Sequence, residues 1–462
     1  VGITQEKTIM SSPRMTWFTF AIVTICNLVV SAAQAPGLSL RHRPDLVEPV
    51  AERVDEMITG LVATYKEIHA SPELSLAESV TATRIAAKLR EIGYGVTTGI
   101  GGHGVVGILS NGVGPTLLIR CDLDALPVTE ETGLPYASKV VVQREDGSHV
   151  GVMHACGHDI HQAVMIGTAE ILHDLKDQWR GTLVLIGQPA EEVGKGARMM
   201  IGDGLFDRFP KPDYAVSLHV SADLPAGSIS YRPGRAFANV DTVEIVIHGR
   251  GGHGSRPEET EDPIVAAAAI VMNLQTLVSR RISPIDPAVV TVGAIHAGTK
   301  ANIIPNTAKL QITVRSFTSE VRQQLLDGIR QLATDTAKAM GCSRPPDVIL
   351  KDEFTPACFN DEDLATGAAR VFRELLGEEF VTLGHQHMGG EDFGQYARTL
   401  KIPGFMYRLG SVNREQYEAS RAPGGTALPP IHSSTYAPDP EPTIRTGVKS
   451  MCALALSLLD RP

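Results

Sequence analysis

At 462 residues the chain exceeds the roughly 250–300 residues that a single hydrophobic core serves, so two domains are expected. A composition of 43% hydrophobic and 20% charged residues is that of an ordinary globular protein, not of a disordered or low-complexity chain. Net charge is −10 with no long basic run, which argues against nucleic acid as a partner.

The N-terminus departs from this average. An almost uncharged apolar run from Met15 to Val30 follows Arg14, and Ser31-Ala32-Ala33-Gln34-Ala35 then supplies small residues of the kind found at a signal-peptide cleavage site. Residues 1–35 are therefore expected to be a leader with its upstream residues, cleaved after Ala35, and the mature protein to be exported, periplasmic or secreted. Met10 and Met15 are the candidate starts. A membrane anchor is the alternative, since the run is near the ~17-residue lower limit for a span. Five cysteines would remain after Cys26 is removed: Cys121, Cys156, Cys342, Cys358 and Cys452. In an oxidising space cysteines tend to pair, and an odd number leaves at least one free. Cys156 is the expected free thiol.

Helices are expected over Val47 to His69 and Ser75 to Ile92, followed by an apolar strand from Thr116. That strand runs into Arg120-Cys121-Asp122-Leu123-Asp124. Next comes Val152-Met153-His154-Ala155-Cys156-Gly157-His158-Asp159, with an apolar helical pattern through Leu172 behind it. Cys156 and His158 stand two apart and cannot share a helix face. A site that uses both must lie where a loop enters the helix. The alternative is a buried thiol beside a capping histidine.

A strand from Thr182 ends at Gln188-Pro189-Ala190-Glu191-Glu192, and one from Tyr214 to Leu218 is expected to end at His219. Three strands thus end in carboxylates or imidazole, which a purely structural account explains poorly. Acidic pairs do favour helix N-termini. On an extended segment, however, neighbouring glutamates point to opposite sides, so one can bind metal while the other faces water or substrate.

Within residues 237–356 the pattern changes. Strand, Ala-rich helix with Pro263 in its first turn, strand, strand, helix closed by Gly341, and strand follow one another. That β-α-β-β-α-β order is ferredoxin-like and self-contained, so residues 237–350 are expected as an inserted domain. The flanking segments, 45–236 and 351–462, then form one α/β body with a largely parallel sheet, whose sites gather at the carboxyl ends of strands. The second segment adds a helix from Asp361 to Leu376, Met388-Gly389-Gly390-Glu391-Asp392-Phe393, a strand from Phe405 to Leu409, a loop carrying His432 and a helix from Pro442 to Leu459. His432 has no apolar periodicity to bury it, and a loop histidine of this kind ordinarily faces solvent.

The candidate ligands are Cys156, His158, Glu192, His219 and His432. Five exceeds the four of a tetrahedral zinc site, so a pair of ions sharing a bridging ligand fits the number better. Such a pair, ~3.5–4 Å apart, is suited to hydrolysis.

At this point the motifs carry a resemblance. His154 to Asp159, Arg120 to Pro127, Gln188 to Glu192, Gly251-Gly252-His253, Asn302-Ile303-Ile304-Pro305, Met388 to Phe393 and the late loop histidine are similar to those of the aminoacylase and carboxypeptidase G superfamily of metallopeptidases. The match is to its amidohydrolase branch, with hippurate hydrolases, N-acyl-amino-acid amidohydrolases and plant indole-acetyl-amino-acid hydrolases. It spans about residues 45–460 in the family's order. The resemblance implies two divalent ions (manganese, zinc, cobalt or nickel) on Cys156, His158, Glu192, His219 and His432, with Glu191 as general base and Asp122 as an orienting acid behind the site. It implies that the inserted domain is a lid and dimerisation surface. It further implies that His253 reaches the scissile carbonyl, often in the partner subunit, and that Asn302 and Arg315 bind the substrate carboxylate. A planar guanidinium suits that task, although a salt-bridged strand residue is the alternative for Arg315. Arg256-Pro257-Glu258 departs from the family's Pro-His at that place, which bears on substrate preference. His385 and His387 are expected to be pocket or surface residues.

The expected function is metal-dependent cleavage of an N-acyl amino acid or dipeptide-like substrate into a carboxylic acid and a free amino acid. A carboxypeptidase or dipeptidase is the alternative within the enzyme class. A non-catalytic binding homologue is the alternative outside it, disfavoured because a binder needs no base at Glu191. No membrane span is expected after leader cleavage, and a homodimer through the lid is.

Overall fold

The apolar strands of the sequence assemble into one eight-stranded sheet whose centre is parallel. In this computed structural model residues 40–144, 146–352 and 354–459, with Gly2, are described; the expected leader lies outside them. Spatial order across the sheet is Gly95–Ile100, Gly104–Asn111, Gly181–Gln188, Thr116–Asp122, Tyr214–Pro225, Gly404–Val412, Ile229–Tyr231 and Val381–Leu383. Thr116–Asp122 pairs parallel with both neighbours, and Tyr214–Pro225 is parallel to Gly404–Val412. Antiparallel strands occupy the Gly95–Asn111 edge, and Ile229–Tyr231 runs antiparallel beside Gly404–Val412.

Both faces of the central strands are covered, which explains why they read as continuous apolar runs. Side chains alternate between faces. Leu117, Ile119, Leu183 and Leu185 join the core made with the helices Val47–His69, His158–Asp174 and Pro440–Leu458. Leu118, Val184 and Ile186 point the other way, to Met200, Phe206, Phe393 and Tyr396.

Residues Asn239 to Leu350 build a second sheet. Its strand order is Ala288–Ala297, Thr307–Ser316, Asn239–His248 and Asp347–Leu350, antiparallel throughout, with helices Pro263–Thr276 and Ser319–Ala339 packed on it. Asp262 accepts from the Ile264 amide and Thr318 from the Val321 amide, caps worth about 1 kcal/mol each. Ile245, Ile270, Leu274, Leu310 and Ile329 form a core of its own. Pro263–Arg281 is long and apolar enough to cross a membrane by length and composition alone, and Ala266, Ile270, Leu274 and Leu277 turn into this core.

Three expectations need correction. The second helix begins at Ser79 rather than Ser75, because the Glu73 carboxylate accepts from the Val80 and Thr81 amides and Leu74 bridges to Ala125. The strand from Tyr214 continues to Pro225, so His219 is a mid-strand residue, held there by pairing with Arg408 on the adjacent strand. All five described cysteines are buried and free, none lying in a disulfide.

Candidate metal centre

Glycine makes the turn that presents the first two ligands. Gly157 has φ +76 and a Cβ there would meet Val220 Cγ2 at 2.6 Å, so glycine alone fits between Cys156 and the helix that starts at His158. His158 donates from Nδ1 to the Asp124 carbonyl at 2.8 Å, which leaves Nε2 as the nitrogen aimed at the site. His219 is fixed the same way, donating from Nδ1 to the Val220 carbonyl at 2.8 Å, with Nε2 3.4 Å from Cys156 Sγ. His432 adopts φ +67 in its loop, tied by its amide to the Ala155 carbonyl at 2.8 Å. Its Nε2 lies 3.2 Å from Cys156 Sγ and 3.6 Å from Glu192 Oε2.

The structure therefore brings all five expected ligands together. Cys156 belongs with His158 and His219 in one set and with Glu192 and His432 in a second, the donor atoms of each set lying within 4.8 Å of one another. The thiol is the member common to both. His158 Nε2 stands 3.8 Å from Glu192 Oε1, and neither atom has a hydrogen-bond partner although both are buried. Two such orphans cost about 1–3 kcal/mol each. A divalent cation satisfies both, so the residues present fit the group. Thiolate, imidazole and carboxylate together form a borderline-soft donor set suited to transition metals and zinc.

Electrostatics point the same way. Burial, then the charges of Glu192 and Glu191, pushes the Cys156 thiol well above its usual range. Burial raises Glu192 to about 7. Burial opposes protonation of His158, but the charge of Asp122, the Asp124 hydrogen bond and the charges of Glu192 and Asp124 together outweigh it and lift the imidazole to about 10, a proton that a bound cation would displace from Nε2. Too much negative charge is gathered for the cations the chain supplies, and bound cations invert that balance.

Glu191 lines the same cavity, with Oε2 3.9 Å from His158 Nε2. Burial and the Glu391 charge hold its carboxyl well above the usual carboxylate range. Its backbone is bent by Ala190 at φ +55, a conformation uncommon for alanine. Glu78 Oε1 accepts from the Ala190 amide at 2.8 Å, and Asp124 Oδ2 accepts from the Glu192 amide at 2.9 Å.

Asp122 lies beside the ligands, its Oδ2 3.7 Å from His158 Nε2, and its donor atoms cluster with those of His158 and His161. It accepts from His161 Nδ1 at 2.6 Å and from Arg120 Nη1 at 2.6 Å. Arg120 also reaches Gln188, Glu391 and Asp392, all buried. His161 could be mistaken for a ligand, but its Nε2 accepts from the Val220 amide at 2.9 Å, so both ring nitrogens are engaged. The sequence marks Arg120 and Asp124 only as members of the polar run at a strand end, without a role, and leaves His161 and Glu78 unmarked. Only His161 carries a local signal, being three residues after His158 and so on the same helix face. A further buried histidine, His69, joins Asp159 at 2.7 Å and Glu130 at 3.1 Å.

The cavity at the ligands is about 980 Å³ and extends to the second sheet. Arg315 and His387 line it. His253 and Asn302 do not; both are exposed, His253 in the strand Gly252–His253 and Asn302 just before its antiparallel partner Ile303–Ile304, and the Asn302 carbonyl accepts from the Gly254 amide. His385 is exposed, and Pro257–Glu259 forms a single 3-10 turn.

Residues 118–423 match the family model described as Peptidase family M20/M25/M40. The chain is 34% identical over 421 residues to thermostable carboxypeptidase 2 of Saccharolobus solfataricus, covering 90% of this chain and all of that protein. It is 38% identical over 340 residues to hippurate hydrolase of Campylobacter jejuni, covering 72% of this chain and 84% of the relative. Among solved structures, the Bacillus subtilis YXEP protein, described as a dinuclear metal binding peptidase, superposes with a TM-score of 0.70 at 32% identity, covering 88% of this chain and 99% of that one. The mainly parallel sheet, the clustered donors and the sequence relationship have one source: the chain belongs to peptidase family M20/M25/M40, hydrolases of amide and peptide bonds.

Proposed function

We propose that this hydrolase cleaves the amide of N-acyl amino acids, releasing a carboxylic acid and a free amino acid. The observation that carries the reading is Glu191, a carboxylate outside the five-donor set, sharing one cavity with Cys156, Glu192, His219 and His432 and with Arg315. Cys156, His158, Glu192, His219 and His432 would hold two divalent ions, manganese, zinc, cobalt or nickel. Such ions supply Lewis acidity, polarising the amide carbonyl and making water acidic enough to be deprotonated near neutrality. Glu191 takes the proton from the attacking water and returns it to the departing amine nitrogen, so that the expelled group leaves neutral. Asp122, itself held by Arg120 and His161, fixes the donors from beside them. Arg315 pairs with the substrate carboxylate through its planar fork, supported by the absence of any carboxylate partner among the described residues. The exposed position of His253 suits a homodimer in which the lid offers it to the partner's site, with Asn302 beside it. The leader would export the protein.

A second reading, carboxypeptidase or dipeptidase, draws on the 34% identity to a carboxypeptidase. Turnover of N-benzoylglycine against unblocked dipeptides, with metal analysis of the same samples, separates the two. Under the first reading Glu191→Gln keeps its metal and loses roughly 10²–10⁴ in kcat. Near wild-type turnover with metal bound would sink the mechanism.

A further inference from the structure

Of the buried polar side-chain atoms left without a hydrogen-bond partner among the described residues, two belong to residues that line the cavity: Glu192 Oε1 and Glu391 Oε2. Glu192 is one of the five donors. Glu391 is not, and it is only 1% exposed. Its two oxygens are not equivalent. Oε1 accepts from Arg120 Nη2 at 2.9 Å and from the Phe393 amide at 2.8 Å, which leaves Oε2 as the free acceptor. The loop before it is tied down as well. The His387 amide donates to the Ala236 carbonyl, the Gly389 carbonyl accepts from the Ala238 amide, and a Cβ at Gly390 would meet Val240 Cγ2 at 2.5 Å. A buried acceptor held in place without a donor is unfavourable, and an N–H brought in by a ligand removes the penalty.

A carboxylate oxygen of Glu391 lies within 4.8 Å of one of Glu191. Two acceptors that each stand ~2.9 Å from one tetrahedral nitrogen are about 4.7 Å apart. The departing nitrogen, which must come within reach of Glu191 to take its proton, is then within reach of Glu391 too. Asp392, the third carboxylate of this cluster, does not compete for it. Its Oδ1 accepts from Gln188 Nε2 at 2.7 Å and from Arg120 Nη2 at 3.1 Å, and its Oδ2 from the Ala197 amide at 2.9 Å. Burial raises the Glu391 carboxyl to about 7, against the Arg120 charge, so above that pH Oε2 accepts.

We infer that Glu391 Oε2 accepts a hydrogen bond from the N–H of the scissile amide and so turns the lone pair of that nitrogen toward Glu191. The inference rests on the proton return by Glu191 proposed above. As the C–N bond breaks, its electron pair goes to nitrogen, which takes the proton from Glu191 while its original N–H stays on Glu391. Secondary amides are then preferred, because an ester or an N-alkylated amide leaves Oε2 without a donor.

The test compares kcat/KM of the metal-loaded enzyme at about pH 8.5 on N-benzoylglycine, on its ester analogue O-benzoylglycolate and on N-benzoylsarcosine, whose amide carries a methyl group in place of hydrogen. In Glu391→Gln the side-chain oxygen stays with Arg120 and the Phe393 amide, so the NH2 group takes the place of Oε2 and meets the substrate N–H donor to donor. The amide-to-ester ratio should fall about 10- to 150-fold, the span for losing a charge-assisted bond. Metal content and unfolding midpoint are measured on the same samples. Amide and ester falling together, with the ratio unchanged, would mean that Glu391 acts only through Arg120 and would overturn the assignment. Wild type decides too, whatever becomes of the variant. It should process N-benzoylsarcosine at least about 10-fold less efficiently than N-benzoylglycine, and equal efficiency denies any use of the N–H. If unblocked dipeptides are cleaved and N-benzoylglycine is not, the acyl-amino-acid reading fails by itself. Glycylglycine, its ester analogue and glycylsarcosine then decide the role of Glu391 in the same way.

Discussion

Replacing Glu78 with alanine removes a carboxylate that touches no reactant and is fully buried 112 residues from the loop it serves. Its Oε1 accepts from the Leu76 amide at 2.9 Å and from the Ala190 amide at 2.8 Å. Ala190 sits at φ +55, a conformation that costs an L-residue about 1–3 kcal/mol and persists only when its surroundings enforce it. In Glu78→Ala the buried Ala190 N–H loses its acceptor, a further ~1–3 kcal/mol. Relaxation of Ala190 to negative φ then becomes favourable and swings Glu191 and Glu192 with it. A displacement of an ångström at a catalytic group costs on the order of 10²-fold.

We therefore expect kcat to fall about 10- to 100-fold in Glu78→Ala with KM little changed, and Glu78→Gln, whose amide oxygen still accepts, to stay close to wild type. Ala190→Gly supplies the decisive comparison, because glycine takes positive φ without strain. In the wild-type background it should be neutral or harmful, and in the Glu78→Ala background it should recover part of kcat. Steady-state kinetics on all four proteins, with unfolding midpoints measured beside them, make the cycle. If Glu78→Ala lowers stability while leaving kcat intact, or if Ala190→Gly acts identically in both backgrounds, Glu78 only fills the core.

Exhaustive chelation should abolish activity and lower the unfolding midpoint, since an ion at a hundred times its Kd stabilises the fold by about 2.7 kcal/mol; an unchanged midpoint and activity after metal removal would refute the five-donor site. His69 offers a test of pH dependence. Burial lowers its pKa, but hydrogen bonds with Asp159 and Glu130 outweigh this and raise it to about 10. Its folded-state pKa is above the unfolded value of about 6.5, so its stabilisation is complete below that value and is lost as pH rises through about 10. Denaturant unfolding from pH 6 to 10 should show wild type losing stability where His69→Gln loses less, and parallel curves would deny the ion pair that role.

What the sequence made legible was what is local. Cys156 and His158, two apart, cannot share a helix face, and this alone places them at a helix entrance, where Gly157 indeed makes the turn. Acidic residues after apolar strands are equally local, which is why Asp122, Glu191 and Glu192 could be marked before the fold was known. The sequence places His219 at the end of a strand, yet pairing with Gly404–Val412 carries that strand on to Pro225. The groups that hold the ligands in place are another matter. Arg120 meets Glu391 across 271 residues and Glu78 meets Ala190 across 112, and no periodicity or spacing encodes such contacts. His161 shows the limit most sharply. Its spacing from His158 offers a plausible ligand, and only the Val220 amide, donated from a strand 59 residues away, removes it from the donor set and leaves Asp122 as the partner it orients.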